Sequence, residues 1–219
     1  MQITIWSDFV CPFCFIGAKH LEKALETFEH ADEVEIEYKS YQLEPGAKYT
    51  PGQTYQEAMM ERKGISAAQV DQMTSQVSEM AVNAGLNYNF DDMKLTDTFP
   101  AHRVFQYAKE EGKGIEFFNK LYEAFFLNGE LISDDAVLSR IGSEIDLDAS
   151  RVDEILADEK IYDKEVVNDI FEAQQVGVQG VPFFVFNNKY GVSGAQPVET
   201  FEQVLTQVYD EFAGNAEAE

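Results

Sequence analysis

The sequence predicts an α/β protein whose small sheet is built from the two ends of the chain, with an all-helical block between them. Three observations carry this. Near the N-terminus, two short stretches of strand character flank a helical stripe; from about Pro51 to Val176 the apolar periodicity is helical almost throughout; strand character then returns at Val181-Pro182-Phe183-Phe184-Val185-Phe186. At 219 residues the chain can bury a full core, either as one large domain or as a small domain carrying an insertion.

The elements follow in order. Gln2–Trp6 is rich in β-branched and aromatic residues and reads as a buried strand. After the turn Ser7-Asp8-Phe9-Val10, residues Ala18, Leu21, Leu25 and Phe28 recur at steps of three and four, an amphipathic helix. Val34-Glu35-Ile36-Glu37-Tyr38 alternates apolar and acidic, as a strand with one wet face near a sheet edge does. Ser66 with Gln69 is a capping box ahead of Val70, Met73, Val77, Met80 and Ala84, and Gly85 ends that helix. Asp97 or Thr98, with Pro100, opens a helix running to Gly112. Further helical stretches cover Ile115–Leu127, Asp134–Ile141 and Ala149–Leu156, and a longer one ends at Gly177. Asn187-Asn188 suits a two-residue hairpin turn into Lys189–Val192, and Pro197 opens a last helix with the stripe Val198, Phe201, Leu205, Val208 and Phe212. The order β-α-β, helices, β-β-α is thioredoxin-like, split by an insertion. It divides the chain into 1–48 with 177–219, and 49–176.

Forty acidic against sixteen basic residues leave a formal charge of −24. Such a surface repels phosphate backbones and anionic lipid, which excludes nucleic acid and membrane as expected partners. It would suit basic substrates, although a solvated acidic exterior explains it more simply. No stretch approaches the ~20 apolar residues of a membrane span. The N-terminal residues show no basic region, apolar core and cleavage site, so a cytoplasmic location is expected.

The chain has two cysteines, Cys11 and Cys14, enclosing Pro12-Phe13. A loop this small is a poor structural staple. In a reducing compartment such a pair is redox-active, metal-binding or inert. Zinc would want four ligands, yet no second pair exists and His20, His30 and His102 are scattered. If a helix starts at Cys11, its unpaired amides and positive dipole end favour the thiolate there, and Pro12 loses nothing in the first turn. Cys14, one turn inside, would sit within disulfide reach and shielded. Cys11 is therefore the expected nucleophile and Cys14 the resolving thiol. Val181-Pro182 opens an apolar strand where a proline cannot donate to a central ladder. A cis bond there would free the Val181 backbone to pair with an extended substrate.

Cys11-Pro12-Phe13-Cys14 after a strand, a helical insertion, then Gly177-Val178-Gln179-Gly180-Val181-Pro182 and Gly191-Val192-Ser193-Gly194-Ala195-Gln196 together resemble the DsbA-like oxidoreductases. With Ala101-His102-Arg103, the chain is most similar to the FrnE-type branch. The resemblance runs from about residue 3 to residue 212. It implies a thioredoxin fold with an inserted helical domain, and a cis Pro182 beside the thiols. Three features depart from that family. Pro12-Phe13 offers no charge or polar donor where many members have histidine, so a less oxidising dithiol is expected. Ile5 stands where relatives often bury an acid six positions before the first cysteine, leaving Asp8 as the nearest acid. No export signal is visible.

The expected function is thiol–disulfide exchange on protein or small-molecule disulfides. Its redox partner would be thioredoxin or a low-molecular-weight thiol system, and it would need no metal or bound organic cofactor. Phe13 and Phe183 would form an apolar rim, and His102 would approach the site from the insertion. Five methionines (Met59, Met60, Met73, Met80 and Met93) fall in that insertion, as core packing or an adaptable peptide surface. Two alternatives stand beside this reading. One is a glutathione-dependent isomerase or transferase of the 2-hydroxychromene-2-carboxylate isomerase or kappa-class type; the other is a redox-inert peptide-binding or chaperone module.

Overall fold

In a computed structural model that describes residues 1–216, four strands form one sheet in the order β2-β1-β3-β4. These are β1 (Gln2–Ser7), β2 (Glu35–Ser40), β3 (Phe183–Phe186) and β4 (Tyr190–Ser193). β1 pairs parallel with β2 and antiparallel with β3, and β3 pairs antiparallel with β4. Alternation along β1 separates the two faces. Ile3 and Ile5, level with Phe186 and Phe184, face the main core, where Phe184 meets Phe201 edge-on at 4.8 Å. Trp6 and Val185 face the other way, onto Ala173 and Val178. The alternating Val34–Tyr38 stretch lies in and just before β2, an edge strand as its pattern implied.

The helix after β1, α1 (Pro12–Glu26), ends earlier than its apolar stripe suggested. Its buried face is Cys14, Gly17, Leu21 and Ala24. Phe28 lies beyond the last turn, edge-on to Tyr209 at 5.7 Å. Between β2 and β3 come seven helices: α2 (Tyr55–Lys63), α3 (Ala67–Asn83), α4 (Phe99–Glu110), α5 (Gly114–Tyr122), α6 (Asp135–Glu144), α7 (Ala149–Ala157) and α8 (Asp163–Val176). Ser66 and Gln69 form the expected reciprocal cap of α3. A second capping box, Thr54 with Glu57, opens α2, which Gly64 ends in the left-handed region at φ 64°. The stretch after α5 widens into a π-turn at Glu123–Leu127. The apolar core runs unbroken from the sheet and α1 into these helices.

The hairpin turn carries Asn187 and Asn188 at φ 46° and 54°, but Lys189 joins the loop and β4 starts at Tyr190. β3 starts at Phe183, after Pro182, whose nitrogen has no hydrogen to give the ladder. The final helix α9 (Val198–Ala216) buries Phe201, Leu205 and Val208; Phe212, read as part of that stripe, is 52% exposed. Among the described residues no helix is long and apolar enough to cross a membrane.

Candidate active site

β1 ends at Ser7, and the chain turns through Asp8, Phe9 and Val10 so that Cys11 caps α1. Cys11 has extended backbone (φ −86°, ψ 111°), Pro12 occupies the first turn, and no side chain bonds the free amides. Cys11 makes no cap bond of its own, but as the N-cap residue it sits at the positive end of the helix dipole. The turn is closed by Cys11 N–H to the Asp8 carbonyl (3.1 Å) and Cys14 N–H to the Cys11 carbonyl (3.0 Å). Both thiols are free, and each residue is 2% exposed. They differ in what they face: Cys11 lines a cavity of about 270 Å³, whereas Cys14 points into the core.

Burial pushes the Cys14 thiol well above its ordinary range, and the neighbouring Cys11 adds to that. The Ser7 hydroxyl and the Asp8 amide act in the opposite direction. Ser7 Oγ lies 2.5 Å from the Tyr122 hydroxyl in a fully buried contact, and burial raises the Tyr122 hydroxyl strongly as well. Tyr88 donates to the Pro12 carbonyl at 2.7 Å. Nothing local in the sequence marks Ser7, Tyr88 or Tyr122, because their partners lie 76 to 115 residues away.

The Val181-Pro182 peptide is cis and lies against the dithiol, with the Cys11 Sγ–H donating to the Val181 carbonyl at 3.4 Å. Gly17 makes this approach possible. A Cβ there would come within 3.1 Å of the Pro182 ring and 3.2 Å of Phe184. Asp8 and His102, both fully buried, meet beneath the turn: His102 Nε2 donates to Asp8 Oδ1 at 3.3 Å, and the other carboxylate oxygen accepts the Leu43 amide at 2.8 Å. His102 lies over Phe9 at 4.5 Å, and its Nδ1 has no partner among the described residues. Asp8 closes the cysteine turn with its carbonyl and, through its carboxylate, ties that turn to α4 and to the segment after β2.

Pro12 and Phe13 line the cavity, and Phe13 is 39% exposed. Phe183 does not join the expected rim. It lies across Gly191 and packs with the Trp6 cluster, since its position in β3 sends it to the opposite face. Met59 and Met73 form part of the cavity's far wall. Among the described residues no group of three or more His, Cys, Asp or Glu side chains could hold a metal ion.

A family model described as the DSBA-like thioredoxin domain matches residues 2–206. The chain belongs to this family. It is 26% identical over 211 residues to the uncharacterized protein YwbO of Bacillus subtilis, covering 94% of this chain and 96% of that one. A crystal structure of a probable DsbA oxidoreductase from Streptomyces coelicolor superposes with a TM-score of 0.89 at 37% identity, covering 96% of this chain and 91% of the other. A 2-hydroxychromene-2-carboxylate isomerase shares the fold, with a TM-score of 0.71 at 13% identity and 98% of each chain covered. At the level of the family, this DsbA-like chain is a thiol–disulfide oxidoreductase with a thioredoxin fold and a helical insertion.

Proposed function

We propose that this DsbA-like chain exchanges disulfides through Cys11 and Cys14. The Cys11 thiolate attacks one sulfur of a substrate disulfide, forming a mixed disulfide and expelling the other sulfur as a thiolate. Cys14 loses its proton and attacks Cys11 Sγ, closing a Cys11–Cys14 disulfide and releasing the second thiol; the reverse sequence installs a disulfide. The observation that carries this reading is the Cys11 Sγ to Val181 carbonyl distance of 3.4 Å, which puts the cis Val181-Pro182 peptide beside the cavity-facing thiol. Val181 and Pro182 orient the substrate, Pro12 and Phe13 contact it, and Asp8 and His102 act as positioning residues behind the turn. Residues 1–48 and 177–219 form the redox scaffold, and 49–176 supply the opposite wall of the cavity. With no polar donor between its cysteines, the dithiol is less oxidising than that of histidine-bearing relatives. It works in the cytoplasm, where such pairs are kept reduced, within the FrnE-type branch.

The test uses the fully reduced protein and a model disulfide. Cys11→Ser abolishes exchange, and Cys14→Ser accumulates a mixed disulfide visible by mass spectrometry. Turnover undiminished in Cys11→Ser would refute the proposal. Turnover that persists without Cys14 and requires glutathione would point instead to isomerase or transferase chemistry.

A further inference from the structure

The cavity in front of Cys11 has a charge of its own. Its lining contains two basic side chains, Arg62 and Lys63, and one acidic side chain, Glu44, a net of +1 on a chain whose formal charge is −24. Arg62 and Glu44 pair with each other, and Arg62 also reaches the Lys48 carbonyl at 3.5 Å, so this pair is internally compensated. Lys63, in contrast, makes no ion pair among the described residues. It occupies the last turn of α2, where a cation favours the negative end of the helix dipole. That preference accounts for a basic residue there, but it does not account for one at the lip of the cavity holding the reactive sulfur.

Resting on the proposed exchange at Cys11, we infer that the substrate is a low-molecular-weight disulfide carrying a carboxylate, which Lys63 receives at the lip while its sulfur reaches Cys11. The −24 exterior opposes the approach of any anion, so a local cation is needed for such a ligand and would be a hindrance for a basic one. The cleft volume of about 270 Å³ and the 2% exposure of Cys11 favour a small molecule over a folded protein. The apolar wall, with Met59 and Met73, takes the methylene carbons beside the sulfur. Reduction of one such disulfide transfers two electrons from the reduced dithiol. It leaves the Cys11–Cys14 disulfide and two substrate thiols, with no other reductant needed for a single turnover.

Three near-isosteric disulfides test this: dithiodipropionate (a dianion), hydroxyethyl disulfide (neutral) and cystamine (a dication). Pre-reduced protein is mixed with excess of each, acid-quenched and read by mass, in wild type and Lys63→Glu. Comparing the two proteins cancels the intrinsic reactivity of each disulfide. The expected result is that the dianion-to-dication rate ratio falls at least fivefold in Lys63→Glu, and that this gap narrows in 0.5 M salt. A ratio changing less than twofold overturns the inference. An acidic disulfide peptide that reacts faster than dithiodipropionate overturns the small-molecule assignment. Failure of wild type with all three disulfides, or reaction surviving Cys11→Ser, refutes the underlying exchange chemistry instead.

Discussion

Asp8 offers a test of how the dithiol turn is held. Its two carboxylate oxygens serve two buried donors, the Leu43 amide at 2.8 Å and His102 Nε2–H at 3.3 Å. Asp8→Ala strands both. At about 1–3 kcal/mol for each buried group left unpaired, the loss should be about 2–6 kcal/mol. Against a total of about 5–15 kcal/mol for a typical domain, that approaches unfolding. Asp8→Asn is the sharper perturbation. Its amide oxygen can still accept from Leu43, but its NH₂ then faces a nitrogen that must become an acceptor. The imidazole can comply only by moving its hydrogen to Nδ1, which has no partner and is packed among Phe9 and Phe118. One buried N–H is then unpaired, a cost of about 1–3 kcal/mol. The expected order of stability is wild type, then Asp8→Asn, then Asp8→Ala. Urea unfolding of the reduced protein measures it, with the single tryptophan Trp6, 4% exposed, as the reporter. An Asp8→Asn protein within 0.5 kcal/mol of wild type, with Asp8→Ala losing under 1 kcal/mol, would refute this account of the pair.

Ser7→Ala leaves the buried Tyr122 hydroxyl without its partner and should cost about 1–3 kcal/mol; adding Tyr122→Phe to it should recover part of that loss, and additive losses in denaturation would contradict the pairing. Gly17→Ala gains about 1 kcal/mol of helix propensity but drives a methyl to 3.1 Å from Pro182, an overpacking cost of about 1–3 kcal/mol. Gly17→Val should be worse in both stability and exchange rate, and an active, fully stable Gly17→Val would show that the loop yields freely. Burial raises the Cys14 thiol above its ordinary value of 9.0, so the folded chain keeps that proton at a pH where the unfolded chain loses it. Its contribution to the stability of the reduced protein is complete below pH 9 and lost as pH rises through the folded value. The resolution step should accelerate with pH across the neutral range, and a pH-independent second step in stopped-flow would count against Cys14 as the resolving thiol.

What could be read before the structure was local in origin. Pro12 in a first turn, Ser66 with Gln69 and the Asn187-Asn188 pair act within a few residues, and β2 announced its edge position through simple alternation. The helical stripe failed where a neighbour intervened: α1 stops at Glu26, and Phe28 packs against Tyr209 from α9. Asp8 and His102 were visible as titratable residues, but their partnership was not, because it spans 94 residues and depends on α4 delivering an imidazole under the first strand-to-helix turn. Charge shows the same divide most clearly. The formal −24 reads most simply as a solvated acidic exterior that would also suit basic substrates, and that sum governs the field a ligand meets at a distance, where screening acts over about 8 Å. Inside a cavity the nearest few side chains dominate, and here they reverse the sign. Only the fold, by folding α2 back over the dithiol, places Lys63 and Cys11 on the same cavity. On the proposed exchange, selectivity would come from the helical insertion and the chemistry from the turn after β1, so that one could change in sequence without the other.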